Sequence, residues 1–145
     1  MMTADNRQII TDFLHQNGIT NAKNVEEIVS GFDLSRPVYR QFLEPGERLF
    51  QFLRNEELSR PVSQTGSWFC LAGASMDSLA IFGAGAGRRL QEFKVAHAVT
   101  GLEGTAAPLG RNWNWAGGGR GGGTQIFLPG HALFALEGVG THQAP

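Results

Sequence analysis

Residues 117 to 123 read GGGRGGG, and the run stops at Thr124 and Gln125, before the apolar Ile126-Phe127-Leu128. Six glycines in seven positions do not make a helix, because each loses more backbone freedom on ordering than any other residue. The run is a loop, and a strand begins where it ends. Three roles fit such a loop: a disordered surface segment, an Arg-Gly-Gly element that binds RNA, or a wall that brings backbone amides close to a phosphate. RNA-binding elements of that kind come as multiple repeats in disordered chains, whereas this one is single and abuts a strand. A Walker loop does not fit, since neither Gly-Lys-Ser/Thr nor a helix follows. A Rossmann fingerprint needs a strand before and a helix after.

The excess of glycine is general. Glycine fills 20 of 145 positions, about twice the usual share. That argues for turns, bulges and close backbone approaches, and against a helical bundle. Charged residues are only 17% and the net charge is −1, without a basic stripe, so a nucleic-acid partner is not expected. No apolar run approaches the ~18 residues that span a bilayer, so no membrane partner is expected either. The start, MMTADNRQ, is polar and lacks the pattern of a secretory signal. Its doubled methionine suggests an excised domain or a stand-alone cargo. Cys70 is the only cysteine, which excludes an intrachain disulfide and a cysteine-based zinc site; its apolar strand suggests a buried, inert thiol. His15, His97, His131 and His142 lack metal-ligand spacing, so neither a metal nor another cofactor is expected.

The chain's grammar changes near Pro37. Before it, Ile9, Ile10, Phe13 and Leu14 repeat at helical spacing over 5–16, and Val25, Ile28 and Val29 mark a second helix over 24–30 that Gly31 ends. After it come strands: 38–43 and 48–53 joined by the turn EPGE, then 67–73, 90–102, 124–128 and 131–136, with a short helix over 75–83. The expected fold is α+β: an N-terminal helical hairpin (1–32), then a small, bent, mainly antiparallel sheet (33–145), in one domain.

Several residues stand out. Arg88 and Arg89 follow a glycine loop, and arginine pairs bidentately with phosphate. In RLFQFL, alternation puts Leu49, Gln51 and Leu53 on one side and Arg48, Phe50 and Phe52 on the other. A glutamine among apolar residues is either a satisfied core group or a pocket residue. Trp68 and Phe69 read as core or as a ligand contact. Trp113 and Trp115 flank Asn114 in a glycine-rich context that suits a stacking wall.

The segments LSRPVYRQFLEPGERLFQF, GSWF, RRLQEFKVAHAVTGLEGTAAP and GGGTQIFLP resemble the ordered segments of bacterial polymorphic-toxin domains related to the tuberculosis necrotizing toxin family of NAD glycohydrolases, over about 33–130. The resemblance implies a sheet of the ADP-ribosyltransferase/NADase type. It implies hydrolysis of NAD⁺ or NADP⁺, as substrate rather than cofactor, to nicotinamide and an ADP-ribose product. It also implies a cognate immunity protein, a delivery or chaperone protein of a secretion system, export without a classical signal peptide, and action in the target cell's cytoplasm. It assigns catalysis to Gln125, Gln51 and Arg89. Substrate binding falls to Arg88, Arg48, Trp68, Phe69, Trp115 and the stretch Gly121, Gly122, Gly123 and Thr124. Either Arg88 or Arg89 holds the phosphates, and either Trp68 or Phe69 packs on the ligand. An ADP-ribosyltransferase uses the same donor, but this chain lacks that enzyme's glutamate at Thr124-Gln125 and its Ser-Thr-Ser-like strand. A binding module without turnover is the remaining alternative.

Overall fold

The computed structural model describes residues 3–58, 60–61, 66–74, 79, 88–108 and 121–143. Two helices come first, α1 (Thr3–Gln16) and α2 (Ala22–Ser30). The Asn21 side chain caps α2 by accepting from the Asn24 N–H at 3.1 Å, and Val25 and Val29 form the helix's buried stripe. Asn6, on α1, is a buried polar residue that ties the helices to the sheet. Its Nδ2 donates to the carbonyls of Leu34 and Arg36 at 2.8 and 2.9 Å, which fixes the chain entering the first strand.

The strands are β1 (Tyr39–Leu43), β2 (Arg48–Arg54), β3 (Trp68–Cys70), β4 (Arg88–Val95), β5 (Val99–Thr105), β6 (Thr124–Phe127) and β7 (Leu136–Gln143); a short helix, α3 (Asn55–Leu58), follows β2. They form one antiparallel sheet in the order β1-β5-β6-β3-β2-β4-β7. The class is α+β, as expected. Cross-strand neighbours share a face, so register assigns the two sides. Trp68, Phe127 and Leu102 face the helices, packing with Ile10, Phe13, Leu14, Val25 and Val29. Leu49, Phe69, Phe93 and Ile126 face the other way, against a 3₁₀ helix at Gly130–Ala135 that brings Ala132 and Leu133.

Three expectations need correction. The turn 44–47 forms: Gly46 has φ +99 and the Glu47 N–H reaches the Glu44 carbonyl at 3.1 Å. The strands it joins do not pair, because β1 lies against β5 and β2 against β4. The end of β4 grips the turn instead, Val95 accepting from the Gly46 N–H at 2.8 Å and donating to the Glu47 carbonyl at 2.9 Å. The run 90–102 is two strands, since the Ala96 and His97 N–H groups turn aside to the Ala135 carbonyl. The segment 131–136 is mainly 3₁₀ helix, with its apolar side chains buried, and the last strand follows it. A short apolar run does not distinguish these states by periodicity. The helix expected over 75–83 lies outside the described residues, apart from Leu79.

Candidate functional site

The sheet is weakest at its middle. β3 has three residues and meets β2 at a single pair, Phe50 with Cys70. Beyond that pair the two strands splay, and a cavity of about 670 Å³ opens on the helix-facing side. Ligand sites fall in this size range. Its walls come from α2, β2, α3, β3, β4, β6 and the segment that follows β5.

Gln125 sits at the inner wall, 7% exposed. It pairs with Cys70 and Gly104, which places it on the same face as Trp68 and Phe127. Its Nε2 donates to the Gly31 carbonyl at 2.6 Å. A carbonyl accepts only from the amide nitrogen, so this bond fixes which way the carboxamide points. Oε1 meets no donor among the described residues, yet no polar side-chain atom that is itself fully buried lacks a partner. Oε1 is therefore an accessible acceptor on the cavity wall.

Gln51 also lines the cavity, but its Nε2 is spent within the protein. It donates to the Gly66 and Trp68 carbonyls, both at 3.2 Å. The side chain thus spans the place where the β2–β3 ladder stops, and satisfies carbonyls that a longer strand pair would have used.

Alternation separates the two arginines. Arg88 pairs with Arg54 across β2 and shares a face with Leu90 and Phe52; it is half-buried and lines the cavity. Its Nη1 donates to the Phe52 carbonyl at 3.3 Å, and the other donors of the guanidinium have no side-chain bond among the described residues. Arg89 points to the opposite face, exposed and outside the cavity. Both members of the aromatic pair reach the cavity, but from different faces of the sheet. Trp68 stands on the cavity side, its ring 5.2 Å from those of both Phe32 and Phe127. Phe69 also borders the cavity, but its ring is packed edge-on against Phe93 in the opposite core, at 5.6 Å.

Arg48 is away from the cavity. Its Nη1 bonds Glu92 at 3.0 Å, and the same carboxylate contacts His142 at 2.7 Å. Gly121, Gly122, Gly123 and Thr124 do not line the cavity either. Gly121 (φ +75) and Gly122 (φ +89) lie against the protein's own backbone: the Gly122 N–H reaches the Ala106 carbonyl at 2.9 Å, and the Ala106 N–H reaches the Gly123 carbonyl at 2.8 Å. A side chain at Gly121 would put Cβ 2.6 Å from the Ala106 oxygen. The glycines hold Ala107 and Pro108, which do line the cavity, in place. Trp113, Trp115 and residues 117–120 lie outside the described residues. Cys70 is buried, its thiol pushed up to about 12 by burial, so at neutral pH it is not a nucleophile.

The cavity also contains residues that the sequence does not single out: Glu27 and Ser30 of α2, Glu57 of α3, and Ser67. Both glutamates belong to Glu-Glu pairs on short helices, a pattern that reads as a solvated face. Only the fold brings one member of each pair to the cavity, Glu27 at its exposed edge and Glu57 partly buried. The second N-terminal helix is thus part of the site.

Solved structures share this α+β fold. The structure of Tse6 in complex with Tsi6 matches at a TM-score of 0.72 and 21% identity, over 95% of this chain and 96% of the matched chain. Rhs1-CT in complex with its cognate immunity protein RhsI1 matches at 0.55 and 21%, over 81% and 86%. At that identity the likeness is one of fold. No protein-family model and no curated protein matches the sequence.

Proposed function

We propose that this chain is a toxin domain that hydrolyses NAD⁺ or NADP⁺ to nicotinamide and ADP-ribose or its phosphate. The observation that carries the reading is the convergence of the Gln125 Oε1, the Arg88 guanidinium and the Trp68 indole in one cavity. The sheet is read as one of the ADP-ribosyltransferase/NADase type. In the reaction, the bond from ribose C1′ to the nicotinamide nitrogen breaks, and its electron pair neutralises the pyridinium ring. The C1′ centre passes through an oxocarbenium-like state, water adds to it, and the water's proton leaves to solvent. Arg88 pairs with the diphosphate. Trp68 gives a flat wall for a ring. The Gln125 Oε1 accepts a hydrogen bond from the attacking water or a ribose hydroxyl and orients it; a leaving group this good needs no strong base. No step uses a metal.

Tse6 and Rhs1-CT were each solved with a partner, in the second case a cognate immunity protein. That supports a cognate immunity protein for this chain; the further reading, as an effector delivered by a secretion system into the cytoplasm of a target cell, rests on the sequence resemblance. The test is NAD⁺ and NADP⁺ consumption by the purified chain, with free ADP-ribose measured in the absence of any protein acceptor. Loss of dinucleotide with free product is expected, and a chelator should not affect it. Modification of an added acceptor without free product would replace this reading with transfer. Undiminished dinucleotide at high protein concentration would leave a binding module.

A further inference from the structure

Gly31 follows α2 directly, where a glycine is ordinarily explained as a helix stop with positive φ. That explanation fails here. Gly31 has φ −75 and ψ −14, a right-handed helical conformation that any residue adopts. What the position lacks is room. A Cβ at Gly31 would stand 3.0 Å from Trp68 Cη2 and 3.1 Å from Cζ2. The indole lies against the bare backbone at the end of α2, also held by Phe32 and Phe127. The carbonyl of the same residue accepts twice, from Gln125 Nε2 at 2.6 Å and from the Ala107 N–H at 3.0 Å. One residue therefore touches four parts of the cavity wall: α2, the β3 indole, the β6 carboxamide and the segment after β5.

We propose that Gly31 is a positioning residue, whose carbonyl aims the Gln125 carboxamide so that Oε1 faces the cavity, and whose missing side chain sets how close Trp68 stands to it. This rests on the hydrolase reading for its catalytic consequence, but not for the geometry. A larger residue must push the indole and the helix end apart. The carbonyl moves with the helix end, and the carboxamide follows it or loses its bond.

The test is Gly31→Ala in two backgrounds, wild type and Trp68→Phe, since phenylalanine lacks the ring atoms that the new methyl meets. In wild type, Gly31→Ala should lower kcat for NAD⁺ by about 10-fold with KM within twofold, because small misplacements of a reacting group are costly in rate. In the Trp68→Phe background the same change should alter kcat less than twofold. There it should also raise Tm by roughly 2–4 °C, as alanine does at a helical position without strain. Equal losses in both backgrounds, or a loss confined to KM, would overturn the proposal.

A second arm does not need activity. In ¹⁵N-labelled protein, the Gln125 side-chain amide, assigned by its disappearance in Gln125→Ala, should be protected from solvent exchange. Gly31→Ala should remove that protection, and Trp68→Phe added to it should restore it. Protection that Gly31→Ala leaves intact would overturn the proposal even if the enzyme is active. Absence of NAD⁺ consumption by wild type would overturn the hydrolase reading, and this second arm would still decide the positioning role.

Discussion

Replacing Gln125 with glutamate keeps its size and removes both N–H donors of its amide nitrogen. In the wild-type protein the Nε2 donates to the Gly31 carbonyl at 2.6 Å from a site that is 7% exposed. An ionised carboxylate there loses that bond, worth about 1 kcal/mol, and turns a charged oxygen toward a carbonyl oxygen, a further ~1–3 kcal/mol. The expected loss at pH 8 is therefore ~2–4 kcal/mol, or roughly 10 °C in Tm for a chain of this size. At 1.36 kcal/mol per unit, a penalty of this size raises the new carboxyl by ~2 units above the ~4.3 of an unfolded chain. The sign follows from linkage. For an acid raised in the folded state, the penalty is absent below the unfolded value, grows from about pH 4 to about pH 6, and is complete above that. Below it the carboxyl O–H can donate to Gly31 as the amide did. Melting of Gln125→Glu and wild type, compared at pH 5 and pH 8, should show a small gap at the lower pH and a large one at the higher. A gap equal at both would refute the assigned hydrogen bond. Dinucleotide turnover at pH 8 should fall at least ~100-fold, about 2.7 kcal/mol, although the variant retains an acceptor; retained turnover would remove the oriented carboxamide from the mechanism.

Arg88→Ala should lower kcat/KM for NAD⁺ by roughly 10- to 150-fold, the worth of a charge-assisted contact, while Arg89→Ala, on the opposite face, stays near wild type; the reverse ranking in steady-state kinetics would contradict the placement of the cavity. Gly121→Ala should destabilise the protein by at least ~2 kcal/mol in urea unfolding, because it adds left-handed strain to a 2.6 Å approach on the Ala106 oxygen. A loss under ~0.5 kcal/mol would mean that this loop is not held against residues 106–108.

Both helices, the antiparallel character and most strand positions were legible, because each rests on local periodicity and punctuation. Ile10, Phe13 and Leu14 announce a buried face whatever they pack on. Pairing was not legible. EPGE is a good turn whether its arms pair or part, and only the grip of Val95 on Gly46 and Glu47 decides the matter. Nothing at Ala96–Ala98 marks a break, since the cause is the distant Ala135 carbonyl. β7, with Gly138 and Gly140 and an exposed outer edge, lacks an apolar alternation to read. In the site, Gln125 was visible as a polar residue beginning an apolar strand. The choice between Arg88 and Arg89 required knowing which face the cavity is on, and Trp68 and Phe69 both reach it because the sheet parts there. The resemblance makes Gly121, Gly122 and Gly123 a wall against a ligand, whereas in the structure they lie against the protein's own backbone.

A sheet that meets at one residue pair in its middle would be expected to come apart there, yet the chain's path opposes it. Take β1, β5, β6 and β3 as one half and β2, β4 and β7 as the other. The connections β1 to β2, β2 to β3, β3 to β4, β4 to β5 and β6 to β7 all pass between halves, and only β5 to β6 stays within one. The chain laces the gap as a cord laces a shoe. Neither half is a continuous stretch of sequence, so no single cut yields two pieces that each carry one half. The missing ladder thus gives an opening that the chain's path crosses five times and that the Gln51 side chain bridges, through its bonds to the Gly66 and Trp68 carbonyls.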